Sequence, residues 1–277
     1  MRIKNVVLST AGALTARGAL RVIRSWPGST QLDRTNFRGR TVTLAAGPAL
    51  AVGAATSAAA GARSLPEAGA ALVAGLGSGA VGFYDDVVGG RPEHKAKGFK
   101  GHLGALREGR VTSGLVKIAG VGAAALAASP LLAADRPRRG RVGTAVDVAL
   151  GAGVIAGTAN LFNLLDLRPG RAIKAGTIVA GPLAAGPAGG LVAGPVGAAT
   201  ALLPDDLDER VMLGDAGANA FGALLGVALA ARTGRVGRAA LLAGLAGLTA
   251  ASERVSFTQV IQQTPGLREL DALGRRP

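Results

Sequence analysis

Gly120-Val-Gly-Ala-Ala-Ala-Leu-Ala-Ala-Ser-Pro-Leu-Leu-Ala-Ala134 carries no charged residue and lies within a longer apolar run, Ser113 to Ala134. That run is about as long as a helix needs to cross the hydrocarbon core of a bilayer. Ala68 to Val81 and Phe221 to Ala231 are likewise uncharged. Working outward, apolar blocks recur at Asn5 to Ile23, Val42 to Gly61, Ala68 to Phe83, Val142 to Leu165, Ala172 to Pro187, Gly189 to Leu203, Val211 to Ala231 and Val236 to Ala251. They are rich in Ala, Gly, Val and Leu, and small residues let membrane helices approach closely. Buried helices of a soluble protein seldom recur so often. The expected fold class is therefore all-α, a polytopic membrane helix bundle with about nine to ten transmembrane helices. Residues 1–251 are expected to form the transmembrane domain and 252–277 a short amphipathic tail lying against the membrane surface.

The chain has 31 Lys and Arg against 17 Asp and Glu, a net charge of +14. Nucleic acid is not the expected partner. The basic residues fall in short runs between apolar blocks, and aromatic residues for stacking make up only 3% of the chain. With no cysteine, thiolate metal sites, disulfides and Cys nucleophiles are excluded. Any metal must be held by oxygen or histidine.

Three polar clusters stand at the ends of apolar blocks: Gly82-Phe-Tyr-Asp85-Asp86, Asn160-Leu-Phe-Asn163-Leu-Leu-Asp166, and Leu213-Gly-Asp215-Ala-Gly-Ala-Asn219. Carboxylates beside bilayer-length segments are costly and are functional candidates by default. If the segments alternate in direction, Asp85, Asp86, Asp166 and Asp215 share one face of the membrane. The same face receives Arg34, Arg38 and Arg40, the basic loop from Arg91 to Arg110, and Arg168, Arg171 and Lys174. An excess of Lys and Arg marks the cytoplasmic side, which puts the acidic face in the cytoplasm and the N-terminus outside. The stretch Asp135-Arg-Pro-Arg-Arg-Gly-Arg141, with Arg232, Arg235 and Arg238, runs against that rule.

Adjacent Asp85 and Asp86 diverge by about 100 degrees on a helix, so they have different roles: one faces a metal or phosphate, the other orients a neighbour or takes a proton. Asn160, Asn163 and Asp166 recur every three residues and form one stripe suited to hydrated Mg2+, phosphate-bound water or a nucleotide edge. The glycines flanking Asp215 allow close approach, and its carboxylate suits Mg2+, which takes one or two carboxylates and completes its shell with water and phosphate.

These motifs, in this order, resemble those of the polyprenyl-phosphate N-acetylhexosamine-1-phosphate transferases. Gly82 to Asp86 resembles that family's Asp-Asp motif, Asn160 to Asp166 its Asn-x-x-Asn-x-x-Asp motif, and Leu213 to Gly217 its Gly-Asp-x-Gly motif. Arg34 to Arg40, followed by Ala46-Gly-Pro48, sits where the family has a basic segment leading into a glycine-rich helix. The resemblance implies a membrane-embedded enzyme with a cytoplasmic cleft. It would transfer a sugar-1-phosphate from a UDP-sugar to polyprenyl phosphate, releasing UMP, with Mg2+ or Mn2+ as cofactor. By resemblance Asp215 and Asp86 are the metal candidates, Asp85 the base or phosphate-orienting group, and Asn163 and Asp166 supporting residues. Asn160, Arg168, Arg171, Asn219 and, in the basic loop, Lys97, Lys100 and His102 complete the substrate-binding candidates. The partners expected are polyprenyl phosphate, a UDP-sugar and the bilayer, with a homodimer left open.

The chain departs from the family where Asp166 is followed by Leu167, Arg168 and Pro169 instead of a second acidic motif, and where Ala218 replaces a serine. The late His-rich loop is missing. Two other readings compete: a catalytically silent relative that binds lipid, and a cation-coupled transporter, which would want its acids nearer mid-membrane.

Overall fold

The computed structural model describes residues 3–91, 98–136 and 140–276. Each of the nine apolar blocks is a helix: α1 (Ile3–Ser25), α2 (Ala46–Gly61), α3 (Leu65–Val88), α5 (Ser113–Ala134), α6 (Arg141–Leu165), α7 (Arg171–Ala184), α8 (Gly189–Leu207), α9 (Gly214–Arg232) and α10 (Arg235–Ser252). A short helix, α4 (Gly98–Arg107), lies in the basic loop, and α11 (Phe257–Gln263) and α12 (Leu267–Ala272) form the tail. Five helices, α1, α3, α5, α6 and α9, are long and apolar enough to cross a membrane. The expected nine to ten spans are not established by length and hydropathy: α2 and α7, at 16 and 14 residues, fall short of a full crossing.

Local chemistry sets the helix ends. Ser64 accepts a hydrogen bond from the amide of Glu67 at 3.1 Å and starts α3, with Pro66 in its first turn. Thr112 does the same for α5 through Leu115 at 3.2 Å. The apolar block expected to begin at Val42 starts differently. Thr41–Thr43 is strand β2, paired antiparallel with β1 (Asp33–Thr35) in the register Arg34↔Val42. This hairpin is anchored across the chain: the amide of Met212 donates to the Thr43 carbonyl at 3.0 Å.

The nine long helices alternate between two ends of the bundle. At one end Asn5 donates to the Ala184 carbonyl at 3.2 Å, and Arg136 to the carbonyls of Ala230, Ala231 and Thr233 at the end of α9. At the other end lie the hairpin, the ends of α3, α6 and α8, the starts of α5, α7 and α9, and the tail. Here α9 is the central helix, buried almost all round and packed against α2, α3 and α6, as a helix apolar on every side must be. Phe221 on α9 meets Phe162 on α6 edge to face, with centroids 5.8 Å apart. Elsewhere the core is rich in Ala, which loses no side-chain entropy on packing, interleaved with Leu, Val and Ile.

Candidate functional site

The hairpin end of the bundle gathers the acidic clusters. Gly82, one turn before Asp86, permits this: a Cβ there would press on the backbone of Asp215, so only glycine lets α3 and α9 come together at their polar ends. Gly214 sits in the left-handed region at φ +59, and a Cβ there would lie 2.8 Å from the Asp86 carboxylate.

Asp86 fills the space that these glycines leave. Its two carboxylate oxygens accept the amides of Asp215 and Ala216, each at 2.9 Å, and cap the first turn of α9. Its carbonyl accepts Nη2 of Arg34 at 2.7 Å, tying the hairpin to α3. Expected as a metal ligand, Asp86 is in this structure a helix cap, with both oxygens already occupied by amides.

Asp85 and Asp215 converge instead on a residue that the acidic motifs did not single out. Nζ of Lys117, in the first turns of α5, lies 2.7 Å from Asp85 and 2.6 Å from Asp215. Asn163 donates its amide to the other oxygen of Asp215. The signal was present in the sequence: Lys117 is the one charge in the Ser113–Ala134 helix, and a lone charge in a membrane-length segment is as conspicuous as a lone acid.

Two cavities adjoin this cluster and a third lies at the same end of the bundle. One of about 380 Å³ holds Arg34, Asp85, Asp86, Ser113, Lys117 and Asp215. A second, about 480 Å³ and mostly apolar, runs from Lys117 between α5, α6 and α10, and Asn160, Asn163 and Asn219 line it. Asn160 donates there to Thr249 at 3.1 Å. Asn219 is 2% exposed, and its Nδ2 has no hydrogen-bond partner among the described residues. A buried donor left in that state costs about 1–3 kcal/mol, which a ligand oxygen would offset.

The third cavity, about 210 Å³, is lined by Phe37, Asp166, Arg168 and Asp206 among others. Asp206 belongs to a fourth acidic cluster, Asp205-Asp206 at the end of α8, which carries none of the motifs of the other three. It accepts the Gly170 amide at 2.7 Å. Asp166, just past the end of α6, is held well above the ordinary carboxylate range, first by burial and then by the negative charges of Asp206, Asp215 and Asp86. Arg168 lies over the Phe37 ring, 4.3 Å from its centroid.

Arg171 does not join the anion-binding residues. It is 4% exposed and forms a two-point pair with Asp271 of α12 at 2.7 and 2.9 Å, with Thr258 accepting a third hydrogen bond at 2.9 Å. The tail that was expected to rest on the membrane surface is therefore docked on the start of α7. Lys97 lies outside the described residues, and Lys100 and His102 lie in α4 with their side chains outside the description.

Among the described residues no group of three or more His, Asp or Glu side chains is arranged to hold a metal ion. The donor set nonetheless suits Mg2+. Asp85 and Asp215 already converge on one cation, and Mg2+ needs only one or two carboxylates when phosphates and waters complete its shell. Lys117 would have to swing aside on its flexible stem. No protein-family model matches the chain, and no curated protein sequence matches it.

Proposed function

We propose that the protein transfers a sugar-1-phosphate from a UDP-sugar to polyprenyl phosphate, releasing UMP, as a membrane enzyme of cell-envelope glycan synthesis. Its nine long helices would all lie in the bilayer, α2 and α7 being too short to span it fully, with the acidic end in the cytoplasm. The observation that carries this reading is the meeting of Asp85, Asp215 and Asn163 around Lys117 beside two unlike cavities, one charged and one apolar. A reaction between a water-soluble nucleotide and a lipid phosphate needs such a junction.

In this mechanism an oxygen of the lipid phosphate attacks the β-phosphorus of the UDP-sugar, and the bond from that phosphorus to the oxygen bridging to UMP breaks. Asp85 takes the proton of the lipid phosphate, while Lys117 and Arg34 neutralise the incoming phosphates. Asn163 holds Asp215 in place. The lipid chain leaves along the apolar cavity, where the free Nδ2 of Asn219 donates to a substrate oxygen. When bound by Asp85 and Asp215, Mg2+ would supply charge neutralisation at the transferring phosphoryl group.

The Lys117 bridge also favours one second reading, a lipid-binding relative without turnover, because its ammonium already neutralises the acidic pair. Incubating the purified protein with undecaprenyl phosphate, Mg2+ and a panel of UDP-sugars separates the two. UMP release is expected with at least one sugar, lost on chelation and restored by Mg2+, and reduced at least about 100-fold in Asp215→Asn. No UMP from any sugar would leave the second reading standing.

A further inference from the structure

Three arginines, Arg17, Arg21 and Arg24, occupy the last turns of α1 at spacings of four and three residues, which place them on one side of the helix. They line a cavity of about 550 Å³ together with Leu14 and Asp205, the latter contributed by α8. This cavity shares no lining residue with the third cavity of the acidic site, although Asp205 of the one is next in sequence to Asp206 of the other. Arg17 is paired with Asp205, which also accepts Arg210 at 3.1 Å. Arg21 and Arg24 make no hydrogen bond or ion pair among the described residues. The pocket therefore keeps positive charge that its own acid does not compensate.

The setting of the pocket identifies the anion. α1 is one of the five membrane-length apolar helices and buries only one stripe, Asn5, Leu8, Gly12, Ala16 and Leu20, against its neighbours. Its outward stripe runs Val7, Leu14, Arg21, one residue in seven, and Val7 and Leu14 are 60% and 68% exposed. Arg17 lies roughly 12 Å from the helix end at Ser25. An exposed apolar stripe that gives way to arginine over the last turns marks the depth at which hydrocarbon gives way to headgroups. A soluble anion has no use for Val7 and Leu14. A lipid has: its acyl chains lie on them while its phosphate meets the guanidinium groups, whose planar forks suit phosphate oxygens.

We propose that this pocket is a binding site for the headgroup phosphate of an anionic phospholipid, separate from the acidic site and independent of the reaction proposed there. Delipidated protein in detergent, titrated with phosphatidylglycerol, phosphatidylcholine or inorganic phosphate and read by native mass spectrometry, tests it. The wild type is expected to hold phosphatidylglycerol about tenfold or more tighter than phosphatidylcholine. Arg21→Gln with Arg24→Gln should abolish that preference. Arg40→Gln with Arg107→Gln removes the same charge from exposed positions elsewhere on the same end and should leave the preference intact. Three results would overturn the proposal: equal retention of the two lipids by the wild type, equal loss in the control variant, or displacement of phosphatidylglycerol by an equal concentration of inorganic phosphate. Should the double variant not fold, Arg21→Gln alone carries the same comparison.

Discussion

Lys117 holds two carboxylates that would otherwise repel each other, at side-chain exposures of 20% for the lysine and 11% and 27% for Asp85 and Asp215. Removing one partner from a fully buried pair costs about 3–5 kcal/mol, and the partial exposure here brings that nearer to about 2 kcal/mol. Lys117→Met is therefore expected to lower the thermal midpoint by several degrees and to reduce UMP release at least about 100-fold. Lys117→Arg should restore the stability but not the rate, because a guanidinium can pair with both acids yet has a different shape from an ammonium. A Lys117→Met protein with wild-type turnover would remove Lys117 from the chemistry. Asp86→Ala is a different kind of change. It uncaps α9 and should cost about 1–2 kcal/mol, while Asp86→Asn, whose amide oxygen still accepts one of the two amides, should cost less. If Asp86→Asn instead lost activity at unchanged thermal stability, the carboxylate would have a role beyond the cap. The acids were legible because a carboxylate at the end of an apolar run is conspicuous. Asp86 and Asp85 are equally acidic in sequence, and only the packing of Gly82 and Gly214 separates the cap from the open carboxylate.

At the scale of elements, the nine long helices were legible from apolar runs that at most one or two charges interrupt, since each of those runs folded as a helix. Helices α7 and α8 continue through Pro182 and Pro195, so these prolines do not end them. What could not be read was where the tail goes. Its docking depends on Arg171 meeting Asp271, 100 residues away and sharing no motif with it, while Arg275 braces Asp271 from within the tail. Lys174 adds hydrogen bonds to the carbonyls of Leu270, Asp271 and Leu273 at 2.5–3.1 Å. Burial alone would raise the Asp271 carboxyl, but hydrogen bonds from Arg171 and Arg275 and their charges outweigh it and hold the group at about 2. A carboxyl depressed in the folded state stabilises docking above its ordinary value of 3.8, and that stabilisation is lost as pH falls toward about 2. The tail is therefore expected to stay docked at neutral pH and to loosen only in that acidic window. Asp271→Asn should release it at pH 7, leaving Arg171 without its buried partner. Hydrogen exchange over residues 257–276 reads this directly. Exchange that is equally slow in the wild type and Asp271→Asn would show that apolar contacts of the tail, not this ion pair, hold it.

For the whole molecule, one face for all the acidic clusters followed from counting alternating segments, and the hydrogen bonds between their ends bear that out. Three of the arginines that ran against the charge rule, Arg136, Arg235 and Arg238, have structural partners at the opposite end. Arg136 caps the carbonyls that end α9, and Arg235 pairs with Asp147 at 2.9 Å. The fold takes up the charge of these three, so they weigh less in the orientation than Arg21, Arg24, Arg40 and Arg107, which are exposed at the acidic end; Arg141 and Arg232 are exposed at the other. The absence of cysteine makes the orientation directly measurable, because each introduced thiol is the only one present. Leu65→Cys and Gly140→Cys sit on the opposite end from Arg40→Cys and Arg107→Cys, and all four positions are exposed. In intact cells a membrane-impermeant maleimide is expected to label the first pair and to reach the second only after permeabilisation. Labelling of the second pair alone would reverse the orientation and place the acidic site outside, away from any cytoplasmic nucleotide sugar. Labelling of one member from each pair would break the alternation itself, and with it the requirement that these helices carry the acidic clusters to a single face.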